Sequence, residues 1–220
     1  MTYAIDHVVL CCEPRAPEAA ALARLGLTEG SDNVHAGQGT ANRRFFFHNG
    51  FLELLWITDP DEAQNGPARR LRLWERWAGR RDPSVCPFGV VVRGEGQRAG
   101  EPPFEAWSYA PDYLPAGLEI QVASGTPLGE PELVFIQGTR RPDELAVEPL
   151  DHRLGVRCIT HVHMHLPGPG PLSAAARAVV ASGLVSFSHS RPFLMELVFD
   201  GAVKRESRRP SPALPLVLRW

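Results

Sequence analysis

The sequence predicts an α+β fold made of two segments that each have the order β-α-β-β-β. In the first quarter, short apolar runs surround one Ala-rich helix, and a similar order begins again after residue 155. The chain has 220 residues, of which 44% are hydrophobic and 22% charged, with a formal net charge of −2. These values are typical of a globular protein with a buried core, and they give no general electrostatic reason to bind nucleic acid.

The first segment, 1–60, is expected to start with a buried strand and to end with a hairpin. Its predicted elements are a strand over 5–12, a helix over 18–27, a weak strand within 28–40, and strands over 43–48 and 51–58. Gly26 lies where the helix should end, because glycine readily adopts the left-handed conformation of a C-terminal cap. The dipeptide Asn49-Gly50 is a strong two-residue turn between the last two strands.

The middle segment, 61–150, is predicted to be an insertion rich in β-structure and proline. Its predicted elements are a short basic helix over 67–82 and strands over 88–93, 118–123 and 133–137. We interpret the basic helix as a surface helix whose tryptophans pack inward, rather than as a patch for membranes or nucleic acid. The aromatic, proline-rich stretch 103–115 is expected to be an ordered loop.

The last segment, 151–220, repeats the order of the first. Its predicted elements are a strand over 158–166, a helix over 172–183, and strands near 184–189, 193–200 and 214–219. The letters I-D-H-V at 5–8 correspond to I-T-H-V at 159–162, and F-L-E-L-L-W-I at 51–57 corresponds to F-L-M-E-L-V-F at 193–199. We therefore interpret the chain as an internal repeat that closes into one unit over 1–220.

Both copies of the repeat carry polar residues where strands should be apolar. Glu53 and Glu196 lie inside apolar strands, and His7 and His161 lie on the first strand of each copy. A buried carboxylate needs a cation, a metal or a hydrogen-bond donor, or it becomes protonated. One hypothesis is that these four residues converge on a single divalent metal, since nitrogen and oxygen ligands suit such ions. The other is that the histidines are hydrogen-bonded structural residues and the glutamates pair with arginines.

These residues resemble the vicinal oxygen chelate superfamily, whose βαβββ modules pair around a metal with ligands on the first and last strands of each module. More narrowly, the stretch 35–42 is similar to the H-x-G-x-G-T-x-N signature of the glyoxalase-like domain subgroup. The matching positions are His35, Gly37, Gly39, Thr40 and Asn42. The resemblance implies a curved, cup-shaped mixed β-sheet with helices on the outside.

The resemblance also implies a function. It predicts a divalent-metal-dependent enzyme that acts on a small molecule with vicinal oxygens, as an isomerase, lyase or dioxygenase, through a metal-stabilised oxyanion. The implied metal ligands are His7, Glu53, His161 and Glu196, with Glu53 and His161 also catalytic. The implied substrate contacts are His35, Thr40, Asn42, Arg44, Trp107 and Tyr109. The identity of the ion, whether Zn, Fe, Mn, Ni or Mg, is left open.

Two alternatives stay open at this point. Glu196 falls on a middle strand of its segment, so either Glu196 or His35 completes the metal site, or the site holds no metal. A non-catalytic protein of the resistance type could use the same cup to bind or sequester a small molecule. A cupin is disfavoured, because no glutamate follows His161 and His163 at the required distance and the second cupin motif is missing.

The remaining expectations concern partners and location. The first twelve residues do not form a signal peptide, and no apolar stretch is long enough to span a bilayer. The four cysteines form no CxxC pair and are expected to be reduced, which favours a cytoplasmic protein. The expected partner is a small molecule, without nucleic acid or membrane, and a homodimer is left open.

Overall fold

Two β-sheets, of eight and five strands, form the framework of the protein in a computed structural model that describes residues 3–95, 100–115, 117–168, 170–210 and 214–220. The strands of the larger sheet are β1 (Tyr3–Cys11), β2 (Asn33–His35), β3 (Thr40–Phe46), β4 (Phe51–Ile57), β5 (Phe88–Gly94), β6 (Ala106–Tyr109), β7 (Ile120–Ala123) and β8 (Glu132–Ile136). The smaller sheet contains β9 (Ile159–Leu166), β10 (Val185–His189), β11 (Leu194–Phe199), β12 (Ser207–Arg208) and β13 (Leu216–Arg219). The α-helices are α1 (Ala19–Leu25), α2 (Pro60–Gln64), α3 (Leu73–Ala78), α4 (Pro142–Leu145) and α5 (Ala174–Ala181).

The eight-stranded sheet consists of two similar halves. Its strand order is β2-β3-β4-β1-β5-β8-β7-β6. Within each half the first and last strands run parallel, β1 beside β4 and β5 beside β8, while β1 and β5 pair antiparallel at the centre. The predicted α+β class and curved mixed sheet of paired modules are confirmed.

The partner of the first module differs from the sequence-based expectation. The segment 61–150, predicted to be an insertion, supplies β5–β8 and thus the whole second half of the large sheet. The segment 151–220, predicted to pair with the first module, forms the separate five-stranded sheet. In that sheet β11 runs antiparallel to β9, whereas β4 runs parallel to β1, so the two glutamate-bearing strands are not equivalent.

One hydrophobic core lies between the two sheets. Side chains at alternating positions of β1, such as Val8 and Leu10, belong to the same buried cluster as Val162 and Met164 of β9. Helices α1 and α5 also contribute side chains to this cluster, including Leu22. The opposite face of the large sheet carries a second apolar cluster and is therefore free to form a cavity.

The basic segment 67–82 folds as two short helices instead of one. A 3-10 helix at Pro67–Leu71 and α3 are separated by Arg72, whose φ of 57° lies in the left-handed region. Leu71 and Leu73 are buried on the second apolar cluster, and Trp74 and Trp77 pack against it. No helix in the part of the chain that the structure describes is long and apolar enough to cross a membrane.

Asn49 joins the two sheets through its side chain. Its Nδ2 donates to the carbonyl of Ile159 at 2.7 Å, and its Oδ1 accepts the Ile159 amide at 2.9 Å. The amide group thus replaces a missing strand neighbour at the start of β9. The sequence signal that predicted a turn at this asparagine also marks a structural joint.

Replacing Asn49 by alanine should lower the free energy of unfolding by about 1–3 kcal/mol, because two buried backbone groups lose their partner. Chemical denaturation followed by far-UV circular dichroism would measure the change. Asn65→Ala is the matched control: this exposed asparagine caps its own helix through the Asp61 carbonyl, and we expect a change of no more than about 0.5 kcal/mol. Equal effects of the two substitutions would contradict the role of Asn49 as a joint.

Candidate functional site

A cavity of about 390 Å³ lies on the face of the large sheet that points away from the second sheet. Its wall is apolar over most of its area and includes Leu55, Leu71, Leu73 and Val134. The polar lining residues are Asp6, His7, Asn33, His35, Gln38, Asn42, Arg44, Glu53, Tyr113, Glu132 and Thr139. The cavity therefore combines the size of a small-molecule site with a concentrated group of ionisable side chains.

Glu53 is buried in this cavity, with 5% of its surface exposed. Its Oε1 accepts a hydrogen bond from Asn42 Nδ2 at 2.7 Å, and its Oε2 lies 3.5 Å from His7 Nε2. Asn42 is itself 2% exposed, and its Oδ1 is buried without a hydrogen-bond partner among the described residues. The Glu53 carboxylate is thus held through Oε1, and the Asn42 Oδ1 acceptor next to it is not used by any described residue.

The position of His7 is fixed by its neighbour in sequence. His7 Nδ1 lies 2.7 Å from Asp6 Oδ1, and the His7 ring stacks on Phe51 with a centroid distance of 4.2 Å. Adjacent strand residues normally face opposite ways, but the β1–β5 pairing slips by one residue between Ile5 and His7. This β-bulge allows both Asp6 and His7 to line the cavity.

Asp6 holds His7 as an ionised carboxylate. Burial opposes ionisation, but hydrogen bonds from His7 and Thr139 and the charge of Arg93 outweigh it, so the pKa of Asp6 is lowered. Thr139 donates to Asp6 Oδ2 at 2.7 Å. Since a carboxylate only accepts, His7 carries its hydrogen on Nδ1, and its Nε2 is the atom that faces Glu53.

Residues of the H-x-G-x-G-T-x-N stretch also line the cavity. His35 Nδ1 and Thr40 Oγ1 are 2.8 Å apart, and the His35 ring lies 4.7 Å from the ring of Tyr113. Burial lowers the pKa of His35, which favours its neutral form. Gly39 has a φ of +71°, and a Cβ there would lie 2.2 Å from the carbonyl oxygen of Asp59, so this position requires glycine.

Two residues that the sequence analysis missed hold this region together or line it. Glu62 Oε2 accepts the amide hydrogens of both Gly37 and Gly39 at 3.0 Å and so fixes the turn of the motif. Glu132, at the start of β8, lines the cavity, and burial raises its pKa to about 7. The available signal was weak, because Glu132 stands at the beginning of the apolar run E-L-V-F-I, whereas Glu53 lies inside its run.

His161 and Glu196 lie in the smaller sheet, away from this cavity. Every ring nitrogen of the β9 histidines is within hydrogen-bond distance of a protein atom: His161 bonds Gly183 and Ser186, His163 bonds Ser186 and Ser188, and His165 bonds Ser188 and Glu196. Glu196 in turn accepts two hydrogen bonds from Arg219. We call this set the histidine row. The structure does not bring His7, Glu53, His161 and Glu196 together at one site as expected, because the two copies of the repeat belong to different sheets.

The predicted substrate contacts are also divided. His35, Asn42 and Arg44 line the cavity, and Thr40 supports His35 from behind. Arg44 donates hydrogen bonds to the Ser31 carbonyl and hydroxyl and to the Asp32 carbonyl, so its guanidinium is largely used by the protein. Trp107 and Tyr109 do not line this cavity; instead Tyr113, from the same aromatic stretch, does.

A comparison with protein families finds one match. Residues 5–112 match a family model described as a glyoxalase-like domain. The chain contains a glyoxalase-like domain. The resemblance drawn from the strand pattern and the 35–42 motif is confirmed, and the matched range runs from β1 through β6 and includes most of the cavity-lining polar residues.

Three solved structures are similar to this chain at low sequence identity, and the TM-score of one of them exceeds 0.5. A hypothetical protein from Staphylococcus aureus is 10% identical, with a TM-score of 0.51 and 99% of each chain covered. A hypothetical protein from Bacillus halodurans has a TM-score of 0.41 and 10% identity, covering 64% of this chain and 98% of that one. Methylmalonyl-CoA epimerase from Mycobacterium tuberculosis has a TM-score of 0.38 and 13% identity, covering 64% and 90%. No curated protein gave a significant match.

The donor set of this glyoxalase-like protein does not fit a divalent metal held by three or four protein ligands. Within the described ranges, no group of three or more His, Cys, Asp or Glu side chains is arranged to hold an ion. The strand registers show one reason: the residue of β5 opposite His7 is Val91, and the β8 residue paired with Val91 is Val134. The first half of the sheet therefore carries both His7 and Glu53, and Glu132 is a separate carboxyl of the second half.

Substituting Asn42 by alanine should lower the free energy of unfolding by about 1–3 kcal/mol, since Glu53 loses its closest hydrogen-bond donor. The loss should be smaller in a Glu53→Leu background, where no carboxylate needs a partner. A double-mutant cycle by denaturant titration measures this coupling. Additive effects of the two substitutions would contradict the pairing.

Proposed function

We propose that this protein binds a small organic molecule in the cavity and transfers a proton next to a carbonyl group, with Glu53 as the base. The observation that carries the proposal is the arrangement around Glu53: a buried carboxylate lies beside a histidine that a second, ionised carboxylate orients. Such pairs of titratable groups in unlike environments are typical of acid–base sites. Membership of the glyoxalase-like family supports the same reading.

In this proposal the two groups act on adjacent atoms of the substrate. Glu53 takes a proton from the carbon beside the carbonyl, the electron pair of the broken C–H bond forms a C=C bond to the carbonyl carbon, and the C=O π pair moves to the oxygen. A protonated His7 Nε2 donates a hydrogen bond to that oxygen, while Asp6 holds the other ring nitrogen. Returning the proton to a neighbouring atom completes an isomerisation, and loss of a leaving group instead completes an elimination.

The shape and lining of the cavity support a substrate with an apolar body and a polar end. The volume of about 390 Å³ lies at the small end of ligand sites. Leucine and valine side chains would contact the body, while Asn42 Oδ1 offers a free acceptor for a hydroxyl or amide hydrogen at the polar end. A vicinal hydroxy-carbonyl compound presents this combination of groups.

Proton abstraction can be tested before the natural substrate is known. We expect the protein to exchange the α-hydrogens of one or more compounds in a panel of small 2-oxo acids and hydroxyketones in D₂O, as followed by NMR. Glu53→Gln should reduce the exchange rate by about 10²–10⁴-fold while the compound still raises the melting temperature. Two controls should keep the exchange rate within about twofold: Glu75→Gln, on the exposed side of α3, and His161→Ala, in the other sheet.

The second candidate is binding without turnover, as in a resistance-type protein. It is favoured by the fact that Glu53 already has protein partners on both oxygens. This candidate predicts compounds that stabilise the protein with no exchange above the rate in buffer. It also predicts that the α-hydrogens of every bound compound remain unexchanged with Glu53→Gln, as they do with the native protein. Those results together would overturn the proton-transfer proposal.

We propose further that the chemistry needs no resident divalent ion. Elemental analysis of the purified protein should then give well below one equivalent of Zn, Fe, Mn or Ni, and added EDTA should not change the exchange rate. One equivalent of metal that is lost in both His7→Ala and Glu53→Gln would contradict this part of the proposal. His161→Ala serves as the control, because His161 lies in the other sheet.

A further inference from the structure

A second pocket, of about 290 Å³, lies beside the cavity at the outer half of the large sheet. We call it the arginine pocket. Its lining includes Arg70, Arg72, Arg76, Trp107, Ser124 and Thr126. Leu71 and Glu132 line both this pocket and the cavity, so they form a shared wall. We propose that the arginine pocket binds an anionic group of a small molecule, a carboxylate or a phosphate.

Arg76 is a buried cation whose hydrogen bonds, among the described residues, all go to backbone carbonyls. Arg76 is 3% exposed, and its guanidinium is always charged. Its Nη1 donates to the backbone carbonyls of Cys86, Leu128 and Glu130, which fixes the side chain, but its Nε is buried with no hydrogen-bond partner among the described residues. Burying a charge in this way is costly unless an opposite charge lies near it, and Glu132, which lines the same pocket and interacts electrostatically with Arg76, supplies that charge only in its ionised form.

Other polar groups line the pocket together with Arg76. Thr126 Oγ1 is also buried and has no hydrogen-bond partner in the described ranges. The guanidinium of Arg70 stacks on the Trp107 ring, with Cζ 3.9 Å from the centroid. This stacking holds the Arg70 plane while leaving its hydrogens available, because no hydrogen bond from this guanidinium occurs within the part of the chain that is described. Arginine planes suit carboxylate and phosphate oxygens, which they can bind with two parallel bonds.

Glu132 is compatible with an anion in this pocket. Its carboxyl lies in the shared wall, and burial raises its pKa to about 7. Below that pH the group is neutral and offers a hydrogen instead of a repelling charge. Anion binding in this pocket does not depend on proton transfer in the cavity, since Arg70, Arg76 and Thr126 have no role in that transfer.

The test uses the full chain with inorganic phosphate and, separately, sodium acetate as probes. Sodium chloride keeps the ionic strength constant, so that general screening does not change. We expect one of the two anions to raise the melting temperature in a saturable way and to change the tryptophan fluorescence. Trp107→Phe should remove the fluorescence change. A response to phosphate alone indicates a phosphate group in the natural ligand, and a response to acetate alone indicates a carboxylate.

Two substitutions at the rim avoid the folding problem that a change of the buried Arg76 could cause. Arg70→Ala should weaken anion binding about tenfold, and Thr126→Val should weaken it severalfold. Arg81→Ala is the matched control, because this exposed arginine lies outside the pocket, and it should bind as the native protein does. No saturable response to either anion, or a response equal in native protein and Arg70→Ala, would overturn the proposal. Neither result bears on hydrogen exchange in the cavity.

Discussion

Strand β1 has to satisfy two faces at once, and the rest of the structure depends on how it does so. Val8 and Leu10 point into the core shared by the two sheets, while His7 and Val9 point to the cavity face. A strictly regular strand would place Asp6 in the shared core, where its charge would be costly. The bulge at this residue instead turns it to the same side as His7. One irregularity in pairing therefore creates both an apolar core and a polar site.

The cavity is built asymmetrically from two similar halves. The first half contributes His7 and Glu53, whereas the residue of β5 opposite His7 is Val91, and Val91 pairs with Val134 of β8. The second half contributes Glu132, and the arginine pocket beside it takes its arginines from the two short helices that precede β5. The polar groups around Glu53 and these arginines therefore lie in separate pockets that share a wall at Glu132.

Much of the fold followed from local sequence patterns. The Asn49-Gly50 turn, the strands on either side of it and the helix that ends at Gly26 are present nearly as expected, because turn chemistry and periodicity act over a few residues. The pairing of the modules did not follow. Which strand lies beside β1 depends on contacts between residues far apart in the chain. β7 lies within the strand predicted over 118–123, whereas β6 lies within the stretch 103–115 that was predicted to be a loop, and neither pattern indicated which sheet the strand joins.

The candidate site was predicted only in part, again because sequence patterns describe local structure and not the contacts between distant segments. His7, His35, Asn42, Arg44 and Glu53 come from one continuous module, and they meet in the cavity. His161 matched His7 in sequence, but the match concerned strand position alone. Polar residues in a strand can serve a site or can satisfy one another. The local sequence does not distinguish the two, and for His161 the partners are serines on β10.

The histidine row has a consequence for hydrogen counting. Six hydrogen bonds link the carbonyl of Gly183 to the carboxylate of Glu196 through His161, Ser186, His163, Ser188 and His165. Both ends of this chain only accept, and three neutral rings with two hydroxyls supply five hydrogens for the six bonds. The row is complete only when it holds one proton more than its neutral side chains provide. The six contacts therefore cannot all be hydrogen bonds at once while the three rings are neutral.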